Sequence, residues 1–124
     1  MHATRDDLPI LFGTHASGIR GVDRGGKRVA VVTNPAGADT APLLKGLPDD
    51  RCPCPHWGYV FEGRMRVTCA DGEEILTAGD LCYLPPGHSV VADEDARYVE
   101  FSPPGPYDEF LAAATRNMNR TRAA

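Results

Sequence analysis

An all-β barrel or sandwich with one C-terminal helix is the fold this sequence predicts. From Gly58 onward, short apolar or alternating runs ("YVF", "RMRVTC", "EILTA", "LCYL", "SVVA", "RYVEFS") are separated by "EG", "ADGE", "GD", "PPGH" and "DEDA". Many short strands with frequent tight turns produce that punctuation. Asp71–Gly72 adds a strong hairpin signal. Only the tail "PYDEFLAAATRNMNRTR" has helical character.

Taken in order, residues 1–20 read as an N-terminal arm, and its first stretch, 1–13, without clear periodicity, as loosely ordered or an edge contribution to the sheet. "THASGIRGVDRGGKRVAVVT" forms two extended segments around a glycine-marked turn between Gly21 and Gly26, and "RVAVVT" is rich in the β-branched residues that suit strands. "NPAGADTAPLLKGLPDD" is loop-like, because Pro35, Gly37, Pro42, Gly46 and Pro48 each discourage regular structure. The barrel is therefore expected over 21–104 and the helix and tail over 105–124. In that helix Asp108 and Glu109 lie near the start and Arg116, Arg120 and Arg122 near the end, matching the helix dipole. Phe110, Leu111, Ala114 and Met118 would form its apolar stripe, packed on the outside of the sheet.

A chain of 124 residues with 42% hydrophobic composition fits one domain that folds without needing disulfides or a metal. The net charge of -4 and the scattered basic residues leave no electrostatic footprint for nucleic acid. No early window has the layout of a secretory signal and no apolar stretch is long enough to span a bilayer, so a cytoplasmic location without membrane contact is expected. In a reducing compartment four cysteines are buried thiols, metal ligands or catalytic groups rather than a disulfide framework. Cys69 and Cys82 sit inside strand-like runs and read as small buried hydrophobes.

Cys52 and Cys54 are different. In "CPCPHWGYVFEG" two cysteines and a histidine occupy every second position. Alternate side chains of a strand share a face, so Cys52, Cys54 and His56 look inward while Pro53, Pro55 and Trp57 look outward, and Asp50 continues the inward parity. Thiolate and imidazole are good ligands for zinc and other first-row metals. His88, on the turn "LPPGHSV", is the distant residue that would complete the set. The plainer reading is that these are buried thiols and a hydrogen-bonded core histidine.

The stretch "GYVFEGRMRVTCADGEEILTAGDLCYLPPGH" resembles the cupin superfamily, whose two short motifs flank a small double-stranded β-helix of jelly-roll type. The first motif runs as H-x-H, three or four residues, E, six residues and G; the second as G, five residues, P-x-G, two residues and H. Gly63 closes the first, and Gly79, Pro85 and Gly87 fill the frame of the second. The ligand positions are rewritten: the family's glutamate falls on His56, its second histidine on Cys52, its first on Asp50 and its last on Val90, with His88 directly after Gly87.

The resemblance leaves two readings. Either the metal has gone and the barrel binds a small molecule, or Cys52, His56 and His88, with Cys54 as a fourth candidate, hold a divalent transition metal. Two thiolates and two imidazoles point first to zinc, with iron, nickel or copper as alternatives. Family members of this size imply a Lewis-acid enzyme acting on a small organic metabolite, such as an isomerase, cyclase, lyase or dioxygenase. The alternative is a non-catalytic ligand-binding or sensing module with a structural zinc or none. A homodimer is expected, with the arm before residue 20 available to a partner. Trp57, Tyr59, Phe61, Tyr83 and Phe101 are assigned to core or dimer interface before pocket lining, and Glu100 to a solvated strand face before an acid-base role.

Overall fold

The computed structural model describes residues 2–123, with side chains through Thr121; Arg122, counted above in the basic end of the helix, therefore falls outside the described side chains. Nine strands form: β1 (Ile10–Gly13), β2 (Gly18–Arg24), β3 (Lys27–Asn34), β4 (His56–Glu62), β5 (Arg64–Cys69), β6 (Gly72–Thr77), β7 (Leu81–Leu84), β8 (Ser89–Ala92) and β9 (Ala96–Ser102). One helix, α1 (Pro104–Ala123), follows. A six-stranded sheet in the order β1-β2-β3-β9-β4-β7 faces a three-stranded sheet in the order β6-β5-β8. Every pair is antiparallel. This is the expected all-β cupin architecture with a C-terminal helix.

Alternation decides what the core contains. Along β3 the pattern puts Arg28, Ala30 and Val32 inside, and along β5 it puts Met65 and Val67 inside. Ala30, Val32, Met65 and Val67 join Val60, Leu44, Leu84 and Tyr98 in one apolar cluster. At the β4–β5 turn Gly63 has φ 83°, and a Cβ there would stand 2.2 Å from the Asp95 carbonyl oxygen, so no larger residue fits. That is the physical content of the glycine closing the first motif.

Three expectations need correction. The arm over residues 1–20 is drawn too long: residues 10–13 form β1, the edge strand of the large sheet, and residues 18–20 open β2, which continues into the expected extended segment. The loop between β3 and β4 is more ordered than its prolines suggest. It contains two short 3-10 helices, Ala41–Leu44 and Pro48–Asp50, and buries Leu44 completely. The helix buries Tyr107, Phe110, Ala113, Ala114 and Asn117, leaving Leu111 and Met118 only half-buried. Its buried stripe is rotated because Asn117 Nδ2 donates to the carbonyls of Leu43 (2.8 Å) and Lys45 (2.9 Å), satisfying loop groups that would otherwise be orphaned. No helix among the described residues is long and apolar enough to cross a membrane.

The helix is tied to the barrel at its first turns as well. The buried Arg28 guanidinium donates to Asp23 (2.7 and 3.0 Å) and to Asp108 (2.5 Å), with its carbon 5.3 Å from the centre of the Tyr107 ring. Two carboxylates and an aromatic face thus compensate one desolvated cation. This fastening sets Tyr107 against His56, their ring centres 5.6 Å apart.

Candidate metal centre

Cys52 precedes β4 and is clamped to the turn before β8. Its N–H donates to the His88 carbonyl at 2.9 Å, and its own carbonyl accepts from the Gly87 N–H at 2.7 Å. That pair of bonds carries the head of the first motif onto the turn of the second, although 36 residues separate them in the chain. His56 begins β4 and points inward opposite Leu84 of β7 and beside Ser102 of β9.

The result is a buried group of three donors. One ligand atom each from Cys52, His56 and His88 lie within 4.8 Å of one another. Cys52 Sγ is 3.9 Å from His56 Nε2, and the two imidazole centres are 5.0 Å apart. A tetrahedral ion with bonds of about 2.3 Å to sulfur and 2.0 Å to nitrogen would hold such a pair about 3.5 Å apart, so the spacing fits with a small contraction.

Hydrogen bonding orients both rings. His88 Nδ1 lies 2.7 Å from the Pro85 carbonyl, which can only accept, so Nδ1 carries the hydrogen and Nε2 keeps its lone pair. His56 Nδ1 lies 2.6 Å from Ser102 Oγ and 3.4 Å from Glu100 Oε2. An Nδ1–H directed at those oxygens leaves His56 Nε2 free toward Cys52. Metal-binding histidines are characteristically held this way.

Burial disfavours charge throughout the group. It lowers His56 to about 4, and lowers His88 to about 4 with help from neighbouring His56. It raises the Cys52 thiol to about 12. Without an ion the three are a thiol and two neutral imidazoles, and the bare imidazoles are the form that ligates.

The remaining sequence candidates are placed as follows. Cys54 is fully buried, but its thiol is turned to the carbonyls of Pro55 (3.5 Å) and Pro103 (3.8 Å), and it does not join the three converging donors. Asp50 does not continue the inward parity: it adopts φ 53°, is exposed and accepts from the Gly46 N–H at 2.9 Å. The chain reverses at the Pro48–Asp50 helix, so strand parity cannot reach back through it. Val90 lines the cavity beside His88. Cys69 and Cys82 are partly buried against the core.

Glu100 is a correction to the sequence reading. It faces inward, only 4% exposed, and burial raises its carboxyl to about 7, an effect reduced by the Tyr107 hydroxyl and by His88. The Tyr107 oxygen beside it has no hydrogen-bond partner of acceptable geometry. Parity from Tyr98 and Ser102 would have found Glu100, since all three share one face of β9. Trp57, Tyr59, Phe61, Tyr83 and Phe101 are all exposed, so they belong neither to the core nor to the pocket, which leaves the dimer-interface half of the expectation.

The donors open onto a cavity of about 340 Å³. Apolar side chains form most of its wall: Ile19, Val32 and Val90 from the two sheets, Phe12 from β1, Leu43 and Leu44 from the loop, and Met118 from α1.

A barrel of two such sheets, with a ligand-sized cavity and an imidazole pair at its wall, defines the cupin class. Residues 55–116, half of the chain, match the family described as the AraC-like ligand binding domain, and the chain belongs to that family. Solved structures agree on the fold. An RmlC-like cupin from Shewanella frigidimarina NCIMB 400 is 19% identical, with 82% of this chain and 88% of that one covered and a TM-score of 0.59. KdgF from Halomonas sp. is 23% identical, with 81% and 92% covered and a TM-score of 0.58. The polyketide cyclase RemF from Streptomyces resistomycificus is 18% identical, with 83% and 78% covered and a TM-score of 0.60. None of the curated proteins matches the sequence.

Proposed function

We propose that this chain is a small-molecule-binding cupin whose ligand meets a divalent transition metal held by Cys52, His56 and His88. The convergence of those three donors on the cavity wall carries the reading. Zinc suits one thiolate and two imidazoles; iron, nickel and copper are the alternatives. When bound, such an ion supplies Lewis-acid polarisation of a ligand oxygen. The chain's own groups do the rest. Pro85, Ser102 and Glu100 fix the two rings, the apolar wall excludes water, and Glu100 is placed to exchange a proton with a ligand at the inner end of the cavity.

Element analysis of tag-free protein, grown with zinc, tests this. About one equivalent of transition metal is expected, lost in His56→Ala and retained in Cys69→Ser. Less than about a tenth of an equivalent in the wild type, with none restored on addition, would sink the metal reading. A non-catalytic binding or sensing role is the second reading, favoured by the ligand-binding description of the family. Stoichiometric binding without turnover separates it from a metal-dependent isomerase, cyclase, lyase or dioxygenase.

The same proposal takes the chain as a homodimer in the cytoplasm. Its contact is the outer face of the large sheet, and the occupant is a second copy. Two-fold pairing would set one uncharged apolar row on its equal, with the Glu62–Arg97 ion pair near the margin.

A further inference from the structure

The wall of the cavity distinguishes among small molecules. Among the described residues no lysine or arginine lines it, and its charged members are Asp39 and Glu100. An anionic ligand would therefore enter without a counter-charge and meet carboxyl groups, at a cost that exceeds any apolar gain in a desolvated site. A bound divalent ion would keep one net positive charge after the Cys52 thiolate, so this penalty on an anion applies to the metal-free cavity.

Several polar groups of the wall are already engaged: the Thr40 hydroxyl donates to the Val90 carbonyl (3.3 Å) and accepts from the Val90 N–H (2.9 Å), the Thr121 hydroxyl donates to the Asn117 carbonyl (3.1 Å), and Asp39 accepts from the Ala41 N–H (2.9 Å). His56, His88 and Glu100 also line it, with Ser17, Asn34 and Tyr98, and most of the remaining wall is aliphatic or aromatic. A sugar, needing partners for hydroxyls on every side, would leave most of them unpaired. The volume of about 340 Å³ lies at the small end of the about 300–1,000 Å³ typical of ligand pockets.

From this we infer that the ligand is an uncharged, compact, mostly apolar molecule carrying one hydroxyl or carbonyl, bound with that oxygen at the His56–His88–Glu100 end and its apolar body toward Phe12, Leu43 and Met118. The inference rests on reading the cavity as a ligand site, but not on the presence of a metal.

A matched probe series tests it by isothermal titration calorimetry on the full chain, both zinc-loaded and chelator-treated. The probes are 1-naphthol, 1-naphthoate at pH 8 and glucose. In the chelator-treated form 1-naphthol should bind at least about tenfold more tightly than 1-naphthoate, and in both forms glucose should give no heat at millimolar concentration. Met118→Trp, a substitution at the half-buried rim, should weaken 1-naphthol about tenfold, and Trp57→Ala on the outer face should leave it unchanged. Equal or tighter binding of 1-naphthoate by the chelator-treated form, comparable binding of glucose, no 1-naphthol binding up to 1 mM, or indifference to Met118→Trp would each overturn the inference. If the naphthol preference stands while the protein takes up no metal, the metal reading falls and the ligand class survives. If metal binds and the preference is absent, the reverse holds.

Discussion

The two faces of the large sheet are built from alternate residues of the same strands, yet they hold opposite chemistry. One cross-strand row, Ala30–Glu100–Gly58–Cys82, points into the barrel, and the next, Val31–Val99–Tyr59–Leu81, points out. A second outward row, Val29–Phe101–Trp57–Tyr83, lies beside it, with the Trp57 and Tyr83 rings 5.1 Å apart. The inner face buries His56 and Glu100, and burial disfavours their charged forms. The outer face presents aromatic rings to solvent, with Leu81 83% exposed. Hydrophobicity alone would have assigned the faces the other way round. The inner face lines a cavity, whereas the outer apolar patch spans four strands, and the proposed dimer contact rests on it.

Stability should separate the faces first. On β7, Leu84 is 3% exposed and its neighbour Tyr83 is 48% exposed. Leu84→Ala should cost about 2–5 kcal/mol in chemical denaturation, toward the lower end because it borders an existing cavity. Tyr83→Ala should cost well under half of that in the monomer. Equal losses would mean that the outer row is as structural as the inner one.

Acidity should separate them next. In metal-free protein His56 and His88 titrate near pH 4 when folded and near 6.5 when unfolded. Their contribution to stability is therefore complete above pH 6.5 and is lost as the pH falls toward 4. Glu100 acts in the opposite sense. Its carboxyl is raised from 4.5 to about 7, so between those values the unfolded chain releases a proton that the fold retains, and stability declines as pH rises. Two histidines outweigh one carboxyl until the unfolded imidazoles are mostly neutral, and the opposing proton counts balance near pH 7. The melting temperature of metal-free protein should rise to a plateau near pH 7. Glu100→Gln should gain on the order of 3 kcal/mol at pH 8, one pKa unit being worth about 1.4 kcal/mol. A variant no more stable than wild type at pH 8 would show that Glu100 is not held neutral by burial.

The smallest effect on folding should come from the outermost residue. Leu81→Glu should change monomer stability by no more than about 0.5 kcal/mol, yet shift the sedimentation coefficient from dimer to monomer at micromolar concentration. Wild-type protein that sediments as a monomer would remove the dimer from the proposal and leave the inner-face predictions intact.

Much of this was legible beforehand. The strand pattern after Gly58, the "DG" hairpin and the glycine–proline frame of the two motifs specify local geometry, because turn chemistry and alternation act over a few residues. The inward comb of Cys52, Cys54 and His56 was readable for the same reason, and it is observed. Parity failed where the chain leaves extended conformation. Asp50 sits in a 3-10 helix, so counting by twos through it assigns a face that does not exist. The boundary of the N-terminal arm was misplaced because β1 has only four residues and is defined by an irregular pairing with β2 rather than by its own pattern.

By itself, the sequence determined which residues share a face and which turns need glycine, since both follow from backbone geometry within a few residues. Only the tertiary structure decided which of the three inward groups of the comb meet His88. Cys52 and His56 do, because the Cys52–His88 bridge lays one motif on the other; Cys54 does not, because its thiol turns toward Pro103 after β9. It also decided that Glu100 is buried and that the aromatics of β4 lie outside. Burial belongs to the packing of two sheets and a helix, a long-range property that no short window of residues contains.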